Sequence, residues 1–297
     1  MTDLRAESGP GTIAHRTGSD LPSVRRLRHR SELPMLATAG TASVGAVLLV
    51  LVLAVAGLEE PGWLTSAVAA AAIAPLITAL VMMRFLYWST ISNGVEVTPR
   101  QLPQLHTMFR DLGAQLGMTP EGEGLERLPR LYVVNGNGTM NAYATKCRIG
   151  RGYVVIYSDL LDVAYLNGDF ETVRFILGHE LGHIHCGHVS VWRAALRPVS
   201  MLLQLGQSVS RAQEYTADRV GCYLAPEGAL GMVSVLAGKH VGTHVDVDAY
   251  FASVDDNEDG FWLKAANFRA DHAVGFRRMT ALRQASLEGW DVHGRML

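Results

Sequence analysis

The chain has 297 residues, of which 48% are apolar and only 18% charged, and its mean hydropathy is +0.14. That excess over an ordinary soluble domain has to be concentrated in particular segments. A formal net charge of -2 and a pI near 6.6 provide no basic field, which excludes nucleic-acid binding as an electrostatic function. Three cysteines, Cys147, Cys186 and Cys222, form no C-x-x-C pair; this excludes a disulfide framework and fits a reducing compartment, with Cys186 read as a buried structural thiol.

In chain order, residues 1–33 are rich in Gly, Ser, Thr, Pro and Arg without apolar periodicity, and read as a disordered polar tail outside the fold. Two apolar runs follow. Met35 to Gly57 has no charged residue over 23 positions and Gly62 to Met83 none over 22, each long enough to cross a bilayer core. The link Leu58 to Pro61 allows only a tight turn, so residues 34–88 are predicted to form a transmembrane helical hairpin. Pro75 kinks the second helix, and Trp63, Tyr87 and Trp88 anchor the ends. Arg25, Arg26, Arg28 and Arg30 precede the first run and Arg84 and Arg100 follow the second, while the link carries only glutamates. The charge bias places the N-terminus and the C-terminal domain in the cytoplasm. A cleaved signal peptide is disfavoured by the long preceding segment and the immediate second run.

Residues 89–297 have the composition of a soluble domain. Leu102, Leu105, Met108, Leu112 and Leu116 recur at helical spacing over 101–116, and Leu131–Val134 and Tyr153–Tyr157 are β-branched and aromatic runs of strand type. Beyond them the pattern is mainly helical. Val199 to Val209, interrupted by Gln204 and Gln207, is too short to span, so two spans are expected in all. The acidic segment 246–259 reads as a solvated loop.

The chemistry-bearing stretch is Phe170 to Ile184, in which Val173, Leu177, Leu181 and Ile184 mark a buried helix face. At about 100° per residue His179 and His183 stand only about 40° apart, so both imidazoles can face one metal ion with Glu180 beside them. Neutral imidazoles leave the charge of Zn²⁺ free to acidify a water, whose proton a neighbouring carboxylate accepts. A catalytic zinc requires a third protein ligand. The metzincin spacing fails, because Cys186 and Val189 occupy its Gly and His positions, and His185 is rotated by about 200° from His183. Glu214 and Asp218, four apart in Ser210 to Arg219, offer two carboxylates on one helix face: one could bind zinc and the other fix a histidine tautomer. A solvated helix capped by Ser210 and Gln213 competes with that reading.

His179 to His183 together with Ser210 to Asp218 resembles the membrane-associated zinc peptidases that include HtpX and the CAAX prenyl protease. The resemblance extends through Leu105 to Leu112, Pro129 to Val133 and Asn141 to Ala144, over nearly all of residues 97–282. It implies an α+β fold, a membrane hairpin followed by a mainly helical zincin-like domain with a small sheet. It implies one Zn²⁺ per chain held by His179, His183 and Glu214, with Glu180 as base and Asp218 as support. It further implies that Asn141, Ala142, Tyr143 and Ala144 belong to an edge strand that receives an extended substrate. The segment Arg269 to Arg278 resembles the part in which His272 stabilises the oxyanion and Arg269 and Arg278 are supporting basic groups. Ala273 replaces the usual proline there.

The expectation is therefore a membrane-anchored zinc endopeptidase, acting on membrane or misfolded polypeptides in quality control, in contact with a lipid bilayer. Two alternatives stand against it: a non-catalytic zinc-binding scaffold, which has no use for Glu180, and a prenyl-peptide processing protease, which the resemblance associates with many more spans.

Overall fold

A computed structural model describes residues 21–56, 62–148, 151–257, 260–270 and 272–296. The chain opens with a short helix α1 (Val24–Leu27), then two long helices, α2 (Glu32–Ala56) and α3 (Trp63–Ser92), which pack on each other. Strand β1 (Gly94–Glu96) and helix α4 (Pro103–Gln115) lead into β2 (Arg130–Val134), β3 (Ala142–Arg148) and β4 (Arg151–Tyr157). The remainder is helical: α5 (Ser158–Asn167), α6 (Phe170–His185), α7 (Val191–Leu202), α8 (Gly206–Leu224), α9 (Met232–Ala237), α10 (Val247–Asn257), α11 (Phe261–Arg269) and α12 (Gly275–Glu288).

The sheet has the order β1-β2-β4-β3, with β2 and β4 parallel and the outer pairs antiparallel. Both faces of β4 are covered. Val154 and Ile156 join the main core with Leu177 and Leu181 of α6, whereas Tyr153 and Val155 point the other way, onto Tyr87 and Ile91 of α3. This explains an unbroken apolar run in a strand whose side chains alternate between faces. The strand β3 occupies the edge.

Two expectations change and a third is met in part. Among the described residues one stretch, Glu32–Val52, is long and apolar enough to cross a bilayer; the apolar part of α3, Ile77–Ser92, is shorter. A second span is not shown among the described residues, and past the apolar run expected to form it α3 packs on the sheet, where the ring of Tyr87 meets that of Tyr153 at 5.3 Å. The expected turn at 58–61 lies outside the described residues. Residues 21–33, assigned to a polar tail, pack into the fold: Leu27, His29 and Glu32 are buried, and Arg219 donates to the carbonyls of Arg26 and Leu27. Composition counted these side chains as solvated, whereas their partners come from residues far along the chain. Residues 1–20 lie outside the described residues. Residues 247–257 of the acidic segment are not a loop but α10, which buries Phe251 and Val254 while its carboxylates face outward, Asp255 pairing with Arg283 at 2.7 Å; residues 258–259 lie outside the described residues.

The α6 and α8 helices form the centre. Asp169 caps α6 by accepting from the Thr172 amide. Small residues let the two helices approach closely: a Cβ on Gly182 would stand 2.9 Å from the Cβ of Val220, and one on Gly221 2.8 Å from the ring of Phe175. The helix α8 begins at Gly206, so Ser210 lies within it and is not its cap, and Glu214 and Asp218 are buried. The solvated-helix reading of this segment is overturned.

Candidate metal centre

One turn apart on α6, His179 and His183 bring their Nε2 atoms to 3.1 Å from each other. Across the helix interface Glu214 places Oε1 3.4 Å from His183 Nε2 and Oε2 3.6 Å from His179 Nε2. A tetrahedral ion with bonds of about 2.0–2.2 Å sets adjacent donor atoms ~3.3 Å apart, so two imidazoles and a carboxylate at these separations suit Zn²⁺ in donor type and in spacing. The three residues could hold a metal ion together. Burial favours the neutral acid at Glu214, but hydrogen bonds from His179, His183 and His272 outweigh it and hold this carboxyl well below the usual range.

Each imidazole has a partner behind it. Asp218 Oδ1 lies 2.8 Å from His179 Nδ1, and Asp218 is gripped by Arg278 through Nη2 at 2.7 Å and Nε at 2.9 Å. Burial opposes protonation of His179, yet its bonds to Asp218 and Glu214 raise its pKa to about 10. For His183 the partner is another histidine, His188, with the two Nδ1 atoms 2.9 Å apart. His188 is turned back by a Schellman closure at Gly187, where φ is +70°, Gly187 N–H donates to Ile184 O and His188 N–H to His183 O. Burial pushes the pKa of His188 down to about 4 and keeps it neutral.

Glu180 is 6% exposed and borders the cleft, and burial is the main reason its carboxyl is raised above the ordinary value. This is the direction a proton-accepting base near neutral pH requires. His272 is largely exposed, at 70% of its side chain, with Nδ1 3.0 Å from Glu214 Oε2; the bond to Glu214 raises its pKa. Its backbone is held without the proline: buried Arg211 donates to Phe268 O and Ala270 O, and Asn267 Oδ1 accepts from Val274 N–H. Asn141 to Ala144 line the same cleft, whose volume is about 1430 Å³. That exceeds the range of a few hundred to about 1,000 Å³ usual for small-molecule pockets and suits a polymer.

The structure thus gathers His179, Glu180, His183, Glu214, His272, Arg278 and Asn141 to Ala144 around one cleft, with Asp218 behind His179. Arg269 is not brought there: it is exposed at the end of α11 and does not line the cleft. Sequence reasoning overlooked Glu32, His188 and Arg211. A helix end followed by glycine is a legible signal for His188 folding back, whereas Arg211 and Glu32 are recognisable only from their tertiary partners.

Residues 99–208 match the model of Peptidase family M48. The M48 peptidases are zinc metallopeptidases, and the match supports that reading of the hydrolytic centre. It spans α4 through the start of α8 and contains His179, Glu180 and His183, but ends before Glu214, Asp218, His272 and Arg278. Those four come to the M48-like motif by geometry alone. No solved structure matches the chain.

Proposed function

We propose that the chain is a membrane-anchored, zinc-dependent endopeptidase that cleaves membrane or membrane-proximal polypeptides. The observation that carries this reading is the His179, His183 and Glu214 donor set with buried Glu180 beside it, in a cleft bordered by a sheet edge. When bound, zinc supplies a Lewis acid that acidifies water and polarises the scissile carbonyl. Glu180 accepts the proton of the attacking water and delivers it to the leaving amine. His272 donates a hydrogen bond to the oxyanion. The edge of β3 pairs with the substrate as an added strand, aligning an extended peptide without regard to most side chains. Asp218, itself fixed by Arg278, accepts the Nδ1 proton of His179 and leaves the Nε2 lone pair directed at the metal.

The membrane reading rests on α2, whose stretch Glu32–Val52 has a mean hydropathy of 2.1, and on the cleft wall, to which Leu36 and Gly40 of α2 and Met82 of α3 contribute beside the metal ligands. In this arrangement α2 and α3 form the hairpin, the basic residues before α2 keep the catalytic domain cytoplasmic, and substrates reach the cleft beside the bilayer. Quality control of membrane proteins is the role that fits a polymer-sized cleft placed there.

The test is zinc content and casein cleavage of detergent-purified protein. The parent is expected to hold about one zinc and to cleave; Glu180→Gln keeps zinc and loses about 10²–10⁴-fold in rate; Glu214→Ala loses the metal. A parent that binds no zinc refutes the ligand assignment. A parent that binds zinc but leaves casein and other unfolded substrates intact moves the scaffold reading ahead.

A further inference from the structure

Glu32 is a carboxylate with 0% exposure at the first position of an apolar helix. Burying a charge there is costly unless each oxygen is satisfied. Its two oxygens are divided between different tasks. Oε1 is taken by the guanidinium groups of Arg28 and Arg193, the latter at 3.3 Å through both Nη atoms. Oε2 accepts from Thr216 Oγ1 at 2.7 Å and lies 3.3 Å from His188 Nε2. The two arginines account for the docking of the helix end, but they do not require a histidine on the remaining oxygen.

Proton positions follow from the geometry, given the zinc reading of the site on which this inference rests. His183 presents Nε2 to the ligand cluster, so its hydrogen is on Nδ1, 2.9 Å from His188 Nδ1. His188 accepts there, so its own hydrogen is on Nε2, which is buried with no aligned hydrogen-bond acceptor and has the Glu32 carboxylate as its charged neighbour at 3.3 Å. One consistent set of tautomers runs from the ligand to the carboxylate. It parallels Asp218 behind His179, with a histidine inserted because the Schellman turn at Gly187 places His188 between the helix end and α2.

We infer that Glu32 is a positioning residue for the metal centre: through His188 it fixes the tautomer and ring orientation of His183, so that the first apolar helix completes the support of a ligand on α6. The anchor and the metal site are thereby joined through two side chains.

The experiment measures Zn²⁺ affinity of the full chain in detergent by competition with a chromophoric chelator, together with the visible absorption of the Co²⁺-substituted protein. The variants are Glu32→Gln, His188→Phe and their combination. Outer partners of metal ligands are typically worth about 10–100-fold in affinity, so each single change is expected to weaken Zn²⁺ by about tenfold or more and to alter the Co²⁺ spectrum. The combination should be no weaker than the worse single variant, because both remove one chain of contacts. Independent losses that multiply in the double variant would indicate a merely structural role and overturn the inference, as would parental affinity in folded Glu32→Gln. If that variant does not fold, Glu32→Asp, which keeps the buried negative charge while drawing the carboxylate back by one methylene, takes its place, and the same cycle with the same criteria decides. A parent that binds no Zn²⁺ removes both this inference and the zinc reading; parental affinity in the variants removes this inference alone.

Discussion

At the scale of single residues, burial decides what polar side chains of the N-terminal segment do. His29 is 2% exposed, its Nε2–H donating to Gly294 O at 2.9 Å while Nδ1 accepts from Ser31 N–H at 3.2 Å. A second proton would have to sit on Nδ1, against that amide. Burial is the largest cause, reinforced by His293, Arg219 and Arg30, that lowers the pKa of His29 from 6.5 to about 4. The neutral imidazole is the form the fold holds, so its contribution is present above pH 6.5 and is lost as pH falls from about 6.5 to about 4, by at most ~3 kcal/mol. The thermal midpoint should therefore fall between pH 7 and pH 5 more steeply for the parent than for His29→Gln, which stays neutral; part of the slope survives in the variant because His188 is depressed similarly. Equal slopes would show that His29 is not held neutral by the fold. None of this is legible in composition, where His, Arg and Glu in a Ser- and Gly-rich stretch count as solvated. The HExxH pair was legible because helical spacing alone brings two imidazoles to one face, whereas choosing between Glu214 and Asp218 required knowing which reaches the Nε2 atoms and which the Nδ1 atom behind His179.

At the scale of elements, helix and strand periods were readable wherever one face is buried throughout. The α4 helix, the strands β2 and β4 and the α6 helix all lie where apolar spacing places them. The rest escaped for identifiable reasons. With three residues, β1 is too short to show alternation, and α10 buries Phe251 and Val254, with Val247 and Tyr250 packed beside them, in a stretch rich in acids. The apolar run entering α3 is followed by Tyr87 and Ile91, which cover the sheet, a contact that apolar composition does not reveal. What positions the site is the closeness of α6 and α8, and Gly182 is the sensitive point nearest the ligands: its missing Cβ would meet Val220 at 2.9 Å. Gly182→Ala should push the helices apart at the turn that carries His183, costing about 1–3 kcal/mol by overpacking and weakening Zn²⁺ binding at the same time. Denaturant unfolding of the zinc-free protein separates the two effects. An alanine variant with parental stability and parental metal affinity would mean that the interface has slack.

At the scale of the whole molecule, the two ends of the described chain meet across α8. The segment before α2 and the extended stretch after α12 lie against it and against each other, Arg30 N–H donating to His293 Nδ1 at 3.1 Å and the rings of His29 and His293 standing 5.0 Å apart. Between them, Tyr215 donates to Arg295 O at 2.9 Å and Arg219 to Val292 O at 2.8 Å, besides its bonds to the carbonyls of Arg26 and Leu27. Gly294 fits because it has no side chain: a Cβ there would fall 2.1 Å from the Tyr215 ring, which also stacks on His29 with centroids 5.4 Å apart. Gly294→Ala should thus lift the C-terminal stretch from α8, remove the acceptor of His29 and loosen the segment that carries Glu32, although it touches no residue of the cleft. The expected cost is about 1–3 kcal/mol, but its distribution is the informative part. Amide hydrogen exchange should rise in residues 24–32 and 291–296 together, while α6 keeps its protection, because loosely held segments open as units. If exchange rises only at the C-terminal stretch, the two ends are held independently and the N-terminal segment is secured by Arg219 and Thr216 alone.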